Sequence, residues 1–188
     1  MRLFVALNPP ASALAELEEA VAPLRRDWPD LRWASQDRWH VTLAFLGEVA
    51  EPRLDELAVR LERAASRHPG QRLVIGNGGA FPSPSRARVL IAHIQGQDAD
   101  LAGLTRLAGS VAAAARRAGA PPPDEGRRYR PHLTLARCRQ PTDLSELVRT
   151  LPAGSGRPWS PTEICLIQSQ NGPQPRYDTL GGWPLRTG

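Results

Sequence analysis

Apolar positions follow two rhythms along this chain, and the switches between them mark the elements. Arg2-Leu3-Phe4-Val5-Ala6-Leu7 is a short, nearly continuous apolar run that reads as a buried strand, ended by Asn8-Pro9-Pro10. Leu14, Leu17, Val21 and Leu24 then recur at three- and four-residue spacing, predicting a helix from an N-cap at Ser12 to about Arg26. Leu31–Ala34 reads as a short strand and His40–Leu46 as a clear one, closed by Gly47. A second helix begins at Pro52, carries Leu54, Leu57, Val59 and Leu61, and ends near Arg67 at His68-Pro69-Gly70. Further strands are expected at Arg72–Asn77 and Val89–Ile94, around a turn-rich segment Gly78–Arg88. A third helix is expected from about Asp98 to Ala118, then a mobile loop at Ala120–Arg128 and a strand at His132–Cys138. A short helix at Asp143–Thr150 and strands at Glu163–Ser169 and Tyr177–Pro184 complete the pattern. Helices and strands interleave with hairpin-like neighbours, which predicts an α+β fold with antiparallel sheets, in one domain over residues 1–188.

Composition changes this picture little. A hydrophobic content of 41% supports a packed core. No apolar run approaches the roughly 18 residues a membrane span needs, and the N-terminal run is too short for a secretory segment, so a cytoplasmic location is expected. Cys138 and Cys165 have neither zinc-ligand nor scaffold spacing and read as small apolar side chains in strands. The net charge of +5 admits anionic partners. All 24 basic residues are arginine, however, in a chain rich in Ala, Gly and Pro, so compositional bias accounts for much of that charge.

The chemistry is carried by a short internal repeat. Residues 40–44 read His-Val-Thr-Leu-Ala and residues 132–136 read His-Leu-Thr-Leu-Ala, about half the chain apart. Side chains alternate across a strand, so His40 shares a face with Thr42, and His132 with Thr134; Val41, Leu43, Leu133 and Leu135 take the opposite faces. If the two halves pack as related lobes, the His/Thr faces meet across one cleft. Facing imidazoles suit hydrolysis of a cyclic phosphate: one deprotonates water while the other donates to the departing ribose oxygen. An ordinary imidazole pKa near 6.5 lets both states coexist near neutral pH. The threonine hydroxyls are placed to hold the non-bridging phosphoryl oxygens. No metal or other cofactor is called for, because neither motif supplies a carboxylate or a third ligand.

At these residues the sequence resembles the two-histidine (2H) phosphoesterase superfamily, defined by paired HxTx motifs. It is most similar to the RNA 2′,3′-cyclic phosphodiesterase branch, also described as 2′–5′ RNA ligase-like. The resemblance extends through Arg2–Leu7, Trp39–Gly47, Gly78–Pro82 with Arg88–Leu90, Tyr129–Arg137, Ile164–Ser169 and Tyr177–Leu185. It implies a bilobal fold of two facing, mostly antiparallel sheets flanked by helices and related by a pseudo-twofold. The implied substrates are RNA 3′ ends, or nucleotides, bearing a 2′,3′-cyclic phosphate, opened to 2′-phosphates, with possible reversal as 2′–5′ ligation. It further implies His40 as proton donor, His132 as proton acceptor, Thr42 and Thr134 as phosphate ligands, and Arg137 at the phosphate.

Other residues are weighed beside these. Regular alternation puts Arg137 on the face opposite His132, so its reach requires a bend or the strand end, and otherwise it is a solvated surface arginine. Arg130 is a rim residue able to approach an RNA backbone. Phe4, Trp33, Trp39, Phe45 and Tyr129 are candidates to stack on a base. His93 reads as a structural strand residue and His68 as part of a helix-ending turn. Gly76-Asn77-Gly78-Gly79 lacks P-loop and dinucleotide spacing and reads as a bulge or strand exit. A non-catalytic RNA-end binder is the main rival, against which the intact histidine pair argues. Small cyclic nucleotides, 2′–5′ oligoadenylate and ADP-ribose cyclic phosphate are alternative substrates. No membrane partner is expected, and the protein is expected to be a monomer.

Overall fold

Strand β1 (Arg2–Leu7) begins a fold in which neighbouring elements repeatedly change sheets. The computed structural model describes residues 1–123, 126–151, 156–170 and 176–187. After β1 come α1 (Ala11–Asp27), β2 (Arg32–Trp33), β3 (Val41–Glu48), α2 (Leu54–Ala65), β4 (Val74–Phe81) and β5 (Ala87–Gln95). Then follow α3 (Asp98–Arg117), β6 (His132–Thr142), α4 (Ser145–Thr150), β7 (Glu163–Gln170) and β8 (Arg176–Pro184). The strands form two four-stranded sheets, β3-β1-β7-β8 and β2-β6-β5-β4, whose neighbours pair antiparallel. Both motif strands, β3 and β6, carry the expected buried aliphatics on their helix-side faces.

Helices cover one face of each sheet. Ala13 and Leu17 of α1 face Ile75, Gly78 and Ala92 of the second sheet, and Val148 and Leu151 at α4 press on Gly78. Helices α2 and α3 pack on each other, α3 reaching β3 and α2 reaching β8. Leu57 and Leu61 of α2 and Leu104, Leu107 and Val111 of α3 are fully buried there, as three- and four-residue spacing requires. One apolar cluster runs through both lobes, joining Leu3, Val5 and Leu7 to Leu90, Leu133 and Leu135.

Three local expectations need correction. Pro10, not Ser12, is the N-cap of α1; proline's fixed extended geometry starts the helix, and Ser12 lies inside it with no capping hydrogen bond. Gly78–Phe81 belongs to β4 rather than to a turn, with the register slip between Ile75 and Gly78 absorbing the glycine-rich stretch as a bulge. Gly47 does not close β3, because its positive φ (65°) lets the strand run through an irregularity to Glu48. Two residues of the loop expected at Ala120–Arg128 lie outside the described residues. No described helix is long and apolar enough to cross a membrane.

Candidate active site

The faces not covered by helices carry the two motifs, and matched bulges shape both. In β3, Ala6 is opposite Thr42 and Val5 opposite Ala44, so Leu43 is an extra residue. In β6, Ile91 is opposite Thr134 and Leu90 opposite Ala136, so Leu135 is the extra residue. Each bulge buries two consecutive residues, Leu43-Ala44 and Leu135-Ala136, and reverses the alternation beyond them. Phe45 and Arg137 are thereby brought to the open faces carrying His40 with Thr42 and His132 with Thr134. The bend that Arg137 requires is this bulge. Phe45 is the corresponding residue of the other lobe and stands 48% exposed.

His40 sits in an aromatic cage. The Phe4 ring stacks on it at 4.7 Å between centroids, and Tyr177 meets it edge-on at 5.4 Å. Its pKa is held down at about 4, chiefly by burial; the His132 charge lowers it further, and a hydrogen bond to the Arg38 backbone opposes both. Strands β3 and β6 approach each other, and the charge of His132 is felt at His40. A space of about 160 Å³ opens beside His40, lined by Gln36, Asp37, Tyr177 and Thr179.

On the facing sheet, His132 Nδ1 lies 2.6 Å from the Arg130 carbonyl oxygen. A carbonyl only accepts, so Nδ1 carries the proton and Nε2 is left with its lone pair. Phe81 meets this ring edge-on at 5.0 Å. Burial lowers the His132 pKa, the Arg130 backbone bond raises it, and the His93 and Arg137 charges lower it again. The expectation of ordinary imidazole pKa values therefore fails: aromatic burial favours the neutral form of both rings.

The remaining candidates separate clearly. Thr42 and Thr134 are partly exposed, and neither hydroxyl has a hydrogen-bond partner among the described residues. Tyr129 is partly buried, and its hydroxyl donates to the Thr42 carbonyl at 3.0 Å, strapping the segment before β6 to β3; burial pushes its pKa up. The Arg130 side chain is exposed and its charge reaches His93. Trp39 is buried, while Trp33 is half-buried, packs on the core and donates its indole N–H to the Trp28 carbonyl oxygen at 2.9 Å. His68 is tied to Ser110 at 2.8 Å, in the turn expected for it.

The surroundings of two further residues, Tyr177 and His93, depend on strand pairing. Tyr177 reaches His40 only because β8 joins the first sheet through β7. His93 is the direct cross-strand partner of His132. Its ring occupies the space that a Cβ at Gly79 would take, 2.3 Å from that position. Among the described residues no three metal-ligating side chains converge.

Comparison with known proteins agrees with this architecture. The family described as LigT like phosphoesterase matches residues 7–91 and 98–177. The RNA 2′,3′-cyclic phosphodiesterase of Escherichia coli K12 is 32% identical over 188 residues, covering 98% of this chain and 96% of the relative. A crystal structure of a Thermus thermophilus protein superimposes with a TM-score of 0.83 at 28% identity, over 100% of this chain and 99% of that one. Escherichia coli LigT complexed with 3′-AMP superimposes with a TM-score of 0.72 at 30% identity, over 98% and 96% of the two chains.

Proposed function

This chain belongs to the LigT-like phosphoesterase family, and on that premise we propose that it opens 2′,3′-cyclic phosphates at RNA 3′ ends, leaving 2′-phosphates. The observation that carries this reading is the pair of matched bulges in β3 and β6, one in each His-x-Thr-Leu-Ala motif, on two strands that approach each other. The relatives named RNA 2′,3′-cyclic phosphodiesterase and the LigT complex with 3′-AMP support the substrate class.

The division of labour is the one the family resemblance implies, and the hydrogen bond at His132 supports it. His132, its Nδ1 proton held by the Arg130 carbonyl, presents Nε2 as the base that takes a proton from water. The resulting oxygen attacks phosphorus, the P–O3′ bond breaks, and His40 delivers its proton to O3′. The product carries a 2′-phosphate and a free 3′-hydroxyl; the proton gained by His132 and the one lost by His40 re-equilibrate through solvent. Thr42 and Thr134 donate to the non-bridging oxygens, and Arg137 offsets their charge. Phe45 is the exposed stacking surface, Arg130 lines the rim, and Tyr129 fixes the spacing of the motif strands. The chemistry needs no metal, and the reading is of a cytoplasmic monomer.

His40→Ala and His132→Ala test it on a cyclic-ended oligoribonucleotide. Each is expected to lower kcat by at least about 10²-fold without unfolding the protein, and the double variant to be far less than multiplicatively worse. Near-native turnover in either folded variant would overturn the two-histidine acid–base assignment, and a wild type that binds the cyclic end without opening it would point to the binding-module alternative.

A further inference from the structure

Arg137 has a neighbour of the same charge. Arg32 in the two-residue edge strand β2 is its direct cross-strand partner. Trp33 pairs with the buried Ala136 and packs on the core, so Arg32, exposed, shares the open face with Arg137. Directly opposed residues of an antiparallel pair have Cβ atoms only about 4.5–5.5 Å apart, where like charges repel. Among the described residues no carboxylate forms an ion pair with either guanidinium. Two positive charges thus stand side by side on the substrate face, offset by no described carboxylate.

A cyclic phosphodiester carries one negative charge, enough for one of the two. An RNA chain supplies a second charge at the phosphodiester joining its terminal nucleotide to the preceding one. Guanidinium forks suit such oxygens, and the edge position of β2 leaves room for the chain to leave the cleft. We propose that Arg32, beside Arg137, forms a subsite for the phosphodiester 5′ to the terminal cyclic nucleotide, so that the enzyme selects oligoribonucleotide ends over mononucleotides. This rests on the cyclic phosphodiesterase reading above.

The test compares kcat/KM for a trinucleotide ending in a 2′,3′-cyclic phosphate with that for the matching mononucleotide 2′,3′-cyclic phosphate. Wild type, Arg32→Gln and Arg130→Gln are measured, with melting curves to establish folding. Arg32→Gln should lower the trinucleotide-to-mononucleotide ratio by about tenfold or more, the size expected for one charge-assisted hydrogen bond. The slope of log kcat/KM for the trinucleotide against log salt should become shallower by about 0.7, one single-strand phosphate contact. An unchanged ratio, or a loss that appears instead in Arg130→Gln, overturns the assignment of Arg32. If the wild type opens neither substrate, the phosphodiesterase reading itself fails, and that outcome is distinct from the first.

Discussion

Removing one wall of the His40 cage gives a quantitative handle on the acid. With a pKa of about 4, His40 is protonated in only about one free molecule in 10³ at pH 7, a cost of about 4 kcal/mol to reach the donor state. Because the base must be neutral while the acid is protonated, kcat/KM should peak below about pH 6.5. Tyr177→Ser, on the outer strand of the first sheet, removes the edge-on ring at 5.4 Å and admits water to one side of the imidazole. Rehydration raises the pKa, since burial is the main cause of its depression. At pH values above both midpoints the rate varies with the protonated fraction of His40. Below both it is limited by deprotonation of His132. Each unit regained by His40 therefore lifts the alkaline limb about tenfold relative to the acid limb, whatever substrate contact the phenol also provided. Proton NMR titration of the imidazole Cε1–H signals, with kcat/KM from pH 4 to 9, measures both effects. A wild-type His40 midpoint near 6.5, or one unmoved by Tyr177→Ser, refutes the argument.

Turnover should persist in EDTA, and its loss in chelator with recovery on adding a divalent ion would overturn metal-independent catalysis. Thr42→Val and Thr134→Val should fold normally, because valine suits a strand, yet bind inorganic phosphate or 3′-AMP more weakly in calorimetry; unchanged affinity makes the hydroxyls structural. Gly78→Ala drives a Cβ to 2.6 Å from Leu151 and 3.1 Å from the Val148 carbonyl oxygen, and should cost about 1–3 kcal/mol in a thermal melt. A melting temperature equal to wild type would mean that α4 yields freely.

Local periodicity made much of this molecule legible. The strand alternation of His40–Thr42 and His132–Thr134 put their side chains on one face, and the spacing of Leu57 and Leu61 identified the buried stripe of α2. What escaped depends on pairing between distant strands. The bulges at Leu43 and Leu135 exist only relative to Ala6 and Ile91 across the ladders, so regular alternation misplaced Arg137. His93 lies in a strand, as its apolar neighbours indicate, but its register against His132 is a tertiary fact. The depressed imidazole pKa values likewise come chiefly from burial, and the rings packed on the two histidines, Phe4, Tyr177 and Phe81, lie on other strands. Ser12 failed as a cap for a local reason: Pro10 already had the required extended geometry.

The regiochemistry of ring opening tests the central claim most directly. An oligoribonucleotide ending in a 2′,3′-cyclic phosphate is incubated with the protein, and the terminal phosphate is assigned by phosphorus NMR. Proton donation by His40 to O3′, with water activated by His132, predicts a 2′-phosphate as the sole monoester. A 3′-phosphate would contradict it, because the leaving oxygen would then be O2′ and the assigned donor would face the wrong side of the ring.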